Sequence, residues 1–125
     1  MNLVSLYRLP QEFGNPDLLM PDLHILCFRT VARGKRMQAG FRFNGVGAIQ
    51  IRADKCFEDW QDDTYYELVE VMDSPWKEQV LSAAGEAYSW YRMKHHYAIC
   101  DDSHCYEFIA DSWELLPEEE WQATP

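Results

Sequence analysis

Residues 94–110 read Lys-His-His-Tyr-Ala-Ile-Cys-Asp-Asp-Ser-His-Cys-Tyr-Glu-Phe-Ile-Ala. Two runs rich in aromatic and branched residues flank Asp101-Asp102-Ser103-His104, whose short polar side chains bond their own backbone and favour a turn. The stretch predicts a hairpin of Lys94–Cys100 against Cys105–Ala110, and a four-residue loop sets its register. Cys100 then faces Cys105, Ile99 faces Tyr106, Tyr97 faces Phe108 and His95 faces Ala110. Side chains alternate across a strand, so these last three pairs share one apolar face, which belongs to the core. The opposite face carries His96, Ala98, Cys100, Cys105, Glu107 and Ile109.

Working outward, Leu23–Val31 is rich in strand formers. After the tip Ala32-Arg33-Gly34-Lys35-Arg36, Met37, Ala39, Phe41 and Phe43 alternate with Gln38, Gly40 and Arg42. That period of two marks a half-buried strand and a second hairpin. Asn44-Gly45-Val46-Gly47 predicts a turn or bulge, Ala48–Ala53 a strand, and Thr64–Met72 another. Residues 1–9 predict an extended edge closed by Pro10, and Asp54–Asp63 a polar loop anchored by Phe57 and Trp60. Gly14-Asn15-Pro16-Asp17 and Pro21-Asp22 carry turn chemistry. Ser74-Pro75 opens the chain's clearest helix: Ser74 caps free N–H groups, Pro75 suits the first helical position, and Trp76, Val80, Leu81 and Ala84 follow at helical spacing. Gly85 ends or weakens it, and residues 86–93 read as a further helical piece or a loop. The acidic stretch Pro117–Trp121 reads as a short cap or frayed end. The expected fold is α+β, a mainly antiparallel β-sheet of hairpins with one main helix packed on it, in a single domain spanning 1–125.

The chain has 125 residues and a formal charge of −10, with 47% hydrophobic and 26% charged residues. That composition is ordinary for a globular protein and leaves out disorder and collagen-like repeats. Residues 1–53 hold seven Lys or Arg against three acids, whereas residues 54–125 hold four against 18. An acidic surface repels phosphate backbones, so nucleic acid is not the expected partner. No apolar run is long enough to span a membrane, and the N-terminus lacks the features of a signal peptide, so the expected location is the cytoplasm. The acidic half suits a basic protein partner, whose encounter it would accelerate; keeping the protein in solution is the plainer use of the same charge.

Nucleophilic catalysis needs a nucleophile, a base beside it and a group to orient the base, and metal binding needs clustered thiolates, imidazoles or carboxylates. No nucleophile elbow, phosphate loop, zinc-protease motif or dinucleotide fingerprint is present. His95, His96, Cys100, His104 and Cys105 hold the chain's densest ligand chemistry, without the spacing of a zinc knuckle. A disulfide between Cys100 and Cys105 fits a hairpin sterically, but a cytosolic chain keeps both as thiols. The reading assigns no catalytic residue, metal or cofactor. It places a partner-binding surface at Asp59, Asp62, Asp63, Asp101 and Asp102, with Trp90 and Tyr91, next to Tyr88, as aromatic anchors, since Trp and Tyr concentrate at the energetic centres of interfaces.

Phe43–Ile49, Val69–Trp76 and the closing stretches His96–Ile99 and Cys105–Glu114 resemble small bacterial single-domain proteins, some of them immunity proteins of polymorphic toxin systems. The resemblance implies a compact α+β protein that acts by binding, neutralising a toxin through acidic surface. Two alternatives stay open: a small metal-binding or enzymatic protein using the hairpin at 95–105, and a structural or regulatory homodimer.

Overall fold

The computed structural model describes residues 2–10, 16–32, 34–53, 57–85 and 94–120. Its strands are β1 Leu3–Arg8, β2 Asp17–Asp22, β3 Ile25–Ala32, β4 Lys35–Asn44, β5 Ala48–Ala53, β6 Glu67–Val71, β7 His95–Cys100, β8 His104–Ala110 and β9 Ser112–Glu120. A 3₁₀ helix, Asp59–Thr64, joins β5 to β6, and α1, Pro75–Ala84, follows β6. The strands form two sheets, ordered β1-β6-β7-β8-β5 and β2-β3-β4-β9, and neighbouring strands run antiparallel. This is the expected α+β architecture, with the strands divided between two sheets. Among the described residues no helix is long and apolar enough to cross a membrane.

The two sheets meet face to face over an aromatic core. Leu26, Phe28, Phe41 and Phe43 come from β3 and β4, and Leu68, Tyr97, Ile99 and Phe108 from the larger sheet; all are buried. Phe43 joins the layers, stacking on Phe108 with centroids 4.1 Å apart and lying 5.7 Å from Tyr97. Each buried aromatic contributes about 2–3 kcal/mol through removal of apolar surface from water, and paired rings add about 0.5–1.5 kcal/mol.

The β7–β8 hairpin has the predicted register, Cys100 opposite Cys105 through His95 opposite Ala110. Asp101 Oδ1 accepts the backbone N–H groups of Ser103 and His104, both at 2.8 Å, which closes the loop. Met37, Ala39, Phe41 and Phe43 turn to one face of β4 as their alternation requires. Ser74 caps α1, its Oγ accepting the Lys77 N–H at 3.0 Å, and Gly85 ends the helix with φ 78°. Trp76, Val80, Leu81 and Ala84 are half-buried, and no residue of α1 is fully buried.

Three segments depart from expectation. Pro21-Asp22 ends strand β2 rather than forming the turn, which falls at Leu23-His24. The acidic stretch from Pro117 to Glu120 is the second half of β9, paired with β4, rather than a frayed end. Both prolines lie on edge strands beside register shifts, where a missing N–H breaks no central ladder. Thr64 closes the 3₁₀ helix and Tyr66 adopts φ 56°, so β6 starts only at Glu67. Residues 86–93, Gly14-Asn15 and Trp121 lie outside the described residues.

Candidate polar site on the outer face of the larger sheet

Strand alternation sends His96, Ala98 and Cys100 of β7, Cys105, Glu107 and Ile109 of β8, and Gln50 and Arg52 of β5 to the face of the larger sheet away from the aromatic core. The 3₁₀ helix and the first turn of α1 meet this face. Val69, Val71, Ala98, Cys100 and Cys105 form a small apolar cluster there, with Phe57 and Trp60 packed against it. Phe57 and Trp60 anchor the stretch as expected, but the part of the expected Asp54–Asp63 loop from Asp59 onward is the 3₁₀ helix.

His96 and Glu107 are each only 1% exposed. Glu107 Oε1 lies 2.8 Å from His96 Nε2, and Oε2 accepts from Gln50 Nε2 at 2.9 Å and Gln61 Nε2 at 3.1 Å. Arg52 Nε stands 3.8 Å from the same Oε2 and its Nη1 3.4 Å from Glu58. Gln61, fully buried, also takes the Glu58 N–H on Oε1 at 2.8 Å and so ties the 3₁₀ helix to the sheet. His96 Nδ1 lies 2.6 Å from Ser74 Oγ. With Glu107 as an acceptor, Nε2 carries a ring proton toward it, and Nδ1 shares a hydrogen bond with the Ser74 hydroxyl. Both oxygens of Glu107 and both ring nitrogens of His96 are thereby met, which is what makes a carboxyl group tolerable so far from water.

Beside it, Thr64 Oγ1 donates to the Gln61 carbonyl at 2.8 Å and lies 2.9 Å from Cys100 Sγ. Cys100 and Cys105 are free thiols with no exposure. The hydrogen bond from Cys100 and burial push the Cys105 thiol well above the usual range, so Cys105 is not a ready thiolate. His95, on the Tyr97 face as the register requires, is half-exposed rather than part of the core and pairs with Glu70, Nδ1 to Oε2 at 2.7 Å, and His104 is exposed against Tyr106. Among the described residues no group of three His, Cys, Asp or Glu side chains is placed to hold a metal ion.

Ser74, His96 and Glu107 are connected in the order of an acyl-transfer triad. Ser74, however, is 6% exposed and its Oγ already holds the Lys77 N–H as the cap of α1. The connection therefore positions α1: it fastens the helix start to the sheet through the imidazole. The same imidazole orients two indoles, with Trp60 standing at 85° to it and Trp76 at 71°, centroids 5.8 and 5.0 Å away. Between them opens a cavity of about 160 Å³, lined also by Gln50, Arg52, Glu58 and Glu107.

Of the residues expected to bind a partner, Asp59 and Asp63 are exposed on the 3₁₀ helix, and Asp102 is exposed on the β7–β8 loop. Asp62 belongs to the same helix. Asp101 is half-buried and closes its own loop. The helix and the loop adjoin, because Tyr66 N–H donates to the Cys100 carbonyl at 2.8 Å and Tyr65 bridges the same residue. Trp90 and Tyr91, with Tyr88 and Cys56, lie outside the described residues.

Sequence reasoning missed Ser74, Gln61, Gln50, Arg52 and Trp76 as members of one site. A signal was present: the outer face of the hairpin offers Ala98, Cys100, Cys105 and Ile109, residues that prefer burial, so a strand pair covered on both faces was to be expected and its His96 and Glu107 needed partners. Comparison of the chain with protein-family models, curated proteins and solved structures returns no match in any of the three.

Proposed function

We propose that this protein acts by binding: in the cytoplasm it receives a basic protein partner on the acidic end of its larger sheet, as an immunity protein receives a toxin. One observation carries the reading. Asp59 and Asp63 on one side, and Asp102 on the other, are distant in sequence yet their segments adjoin through the Tyr65–Tyr66 contact with Cys100, and all three residues are exposed. Acids gathered at one end raise the capture rate of a cationic partner, whereas acids spread evenly mainly confer solubility. Beneath them the doubly hydrogen-bonded Gln61 holds the 3₁₀ helix to the sheet, so the surface is preorganised for contact.

The test is kinetic. With the partner co-purified from the native cell, the triple variant Asp59→Asn/Asp63→Asn/Asp102→Asn should associate more slowly and with a flatter dependence on ionic strength. Its dissociation should be nearly unchanged, since rim charges act on the encounter. Association indifferent to both salt and these substitutions would reduce the acids to a solubility feature and end this reading.

A further inference from the structure

We propose that the cleft between Trp60 and Trp76 takes one arginine side chain of that basic partner; the inference rests on the reading above and names its anchor. At about 160 Å³ the cavity is too small for a drug-sized or nucleotide ligand, which needs roughly 300 Å³ or more, but it admits a single long side chain. Its walls are two indoles standing steeply on the His96 ring, held in place because both nitrogens of that ring are bonded. Trp60 is fixed a second time by its own N–H, which Glu58 Oε2 accepts at 2.6 Å. Rigid aromatic walls favour a flat cation that spreads its charge over them, which describes a guanidinium better than an ammonium.

The charge in the cleft is unbalanced in the same sense. Glu58 and Glu107 share the guanidinium of Arg52, at 3.4 and 3.8 Å, both longer than the roughly 2.7–2.9 Å of a direct charge-assisted bond, and Glu107 alone is also bonded to His96. Arg52 thus leaves room for a second guanidinium on Glu58, whose side chain is 53% exposed at the mouth. Asp59, next in the chain and exposed, adds to the pull. The acids named in the previous section would draw the partner in, and the cleft would hold it.

The experiment needs no partner. Blocked Gly-Arg-Gly, Gly-Lys-Gly and Gly-citrulline-Gly peptides are titrated into the ¹⁵N-labelled full chain while its indole N–H signals are followed, with Trp60→Phe and Trp76→Phe variants assigning two of them. The arginine peptide should shift the Trp60 and Trp76 signals, the lysine peptide less, and citrulline, which keeps the shape but loses the charge, not at all. Glu58→Gln, which removes the charge but keeps an oxygen to accept the Trp60 N–H, should weaken the arginine response about tenfold. No shift with the arginine peptide up to its solubility limit, or an equal shift with citrulline, overturns the proposal. The two readings also fail separately. A partner slowed by the three Asp→Asn changes but dissociating normally from Glu58→Gln and Trp76→Phe leaves the acidic surface standing and removes the cleft. A partner indifferent to the acids removes the former while the peptide shifts stand.

Discussion

The β7–β8 hairpin buries both of its faces, and the two are held by different forces. Toward the second sheet, Tyr97, Ile99 and Phe108 lock against Phe43 by shape and by loss of apolar surface. Toward the helices, His96 and Glu107 are just as dry but are held by directed bonds to Ser74, Gln50 and Gln61. An apolar contact loses energy in proportion to the volume removed, while a buried polar network fails when one member leaves the others unpaired. The first face therefore sets stability, and the second sets where the 3₁₀ helix and α1 sit, hence the shape of the cleft.

The largest effect should come from emptying the apolar face. Phe108→Ala removes the ring stacked on Phe43 and should cost about 3–5 kcal/mol in denaturant unfolding, with the five-stranded sheet otherwise retained. A loss near zero would mean that the two sheets do not meet at this ring. On the polar face, Glu107→Leu orphans His96 and two amide groups and should cost about 3 kcal/mol. Adding His96→Leu should then recover part of that loss, because an apolar pair asks for no partners. If the double variant instead loses the sum of the two single costs, the pair is not coupled.

Alkali separates the faces without mutation. Burial, with Glu70 and Asp111 nearby, pushes the Tyr97 phenol up to about 12, and burial raises Tyr66 as well, with Asp102 adding to it. The unfolded phenol titrates near 10, so the folded state favours the neutral form; that stability is complete below about pH 10 and is lost as pH rises through about 12. Unfolding free energy should fall by about 2 kcal/mol across that window from Tyr97 alone, and Tyr97→Phe should flatten the fall. An unchanged alkaline slope in Tyr97→Phe would place the phenol in water. The smallest effect is at the junction of the polar face with α1: Ser74→Ala removes a cap and a partner of His96 and should cost about 1–2 kcal/mol, with Ser74→Thr retaining most of it. Equal losses for the two variants would show that the hydroxyl is not what fastens the helix.

Much of this comparison was legible before any coordinates. The alternation in Met37–Phe43 named the core face of β4, and the loop at 101–104 named the partner of every residue in β7. The polar face was legible only in part. His96 and Glu107 could be set on one side of the hairpin, but nothing near them in the chain announces Gln61 or Ser74, which reach them from the 3₁₀ helix and from the start of α1. The acidic run at Glu118–Glu120 misled for a related reason: a solvated edge strand has no apolar face to reveal it, and its evidence is the ladder to β4.

The hairpin register, the start of α1 at Ser74-Pro75 and the identity of the dry core were determined by the amino-acid sequence alone. In each case the competing backbone groups and side chains lie within a few residues of one another, so local chemistry selects one arrangement. Only the tertiary structure decided that the strands divide into two sheets, that β5 closes against β8 and β1 against β6, and that His96 stands between Ser74 and Glu107 with an indole on either side. Those pairings join segments whose ends carry no mark of each other. They are chosen by the surface buried and the polar groups satisfied when the whole chain closes, a sum over contacts that no single stretch contains.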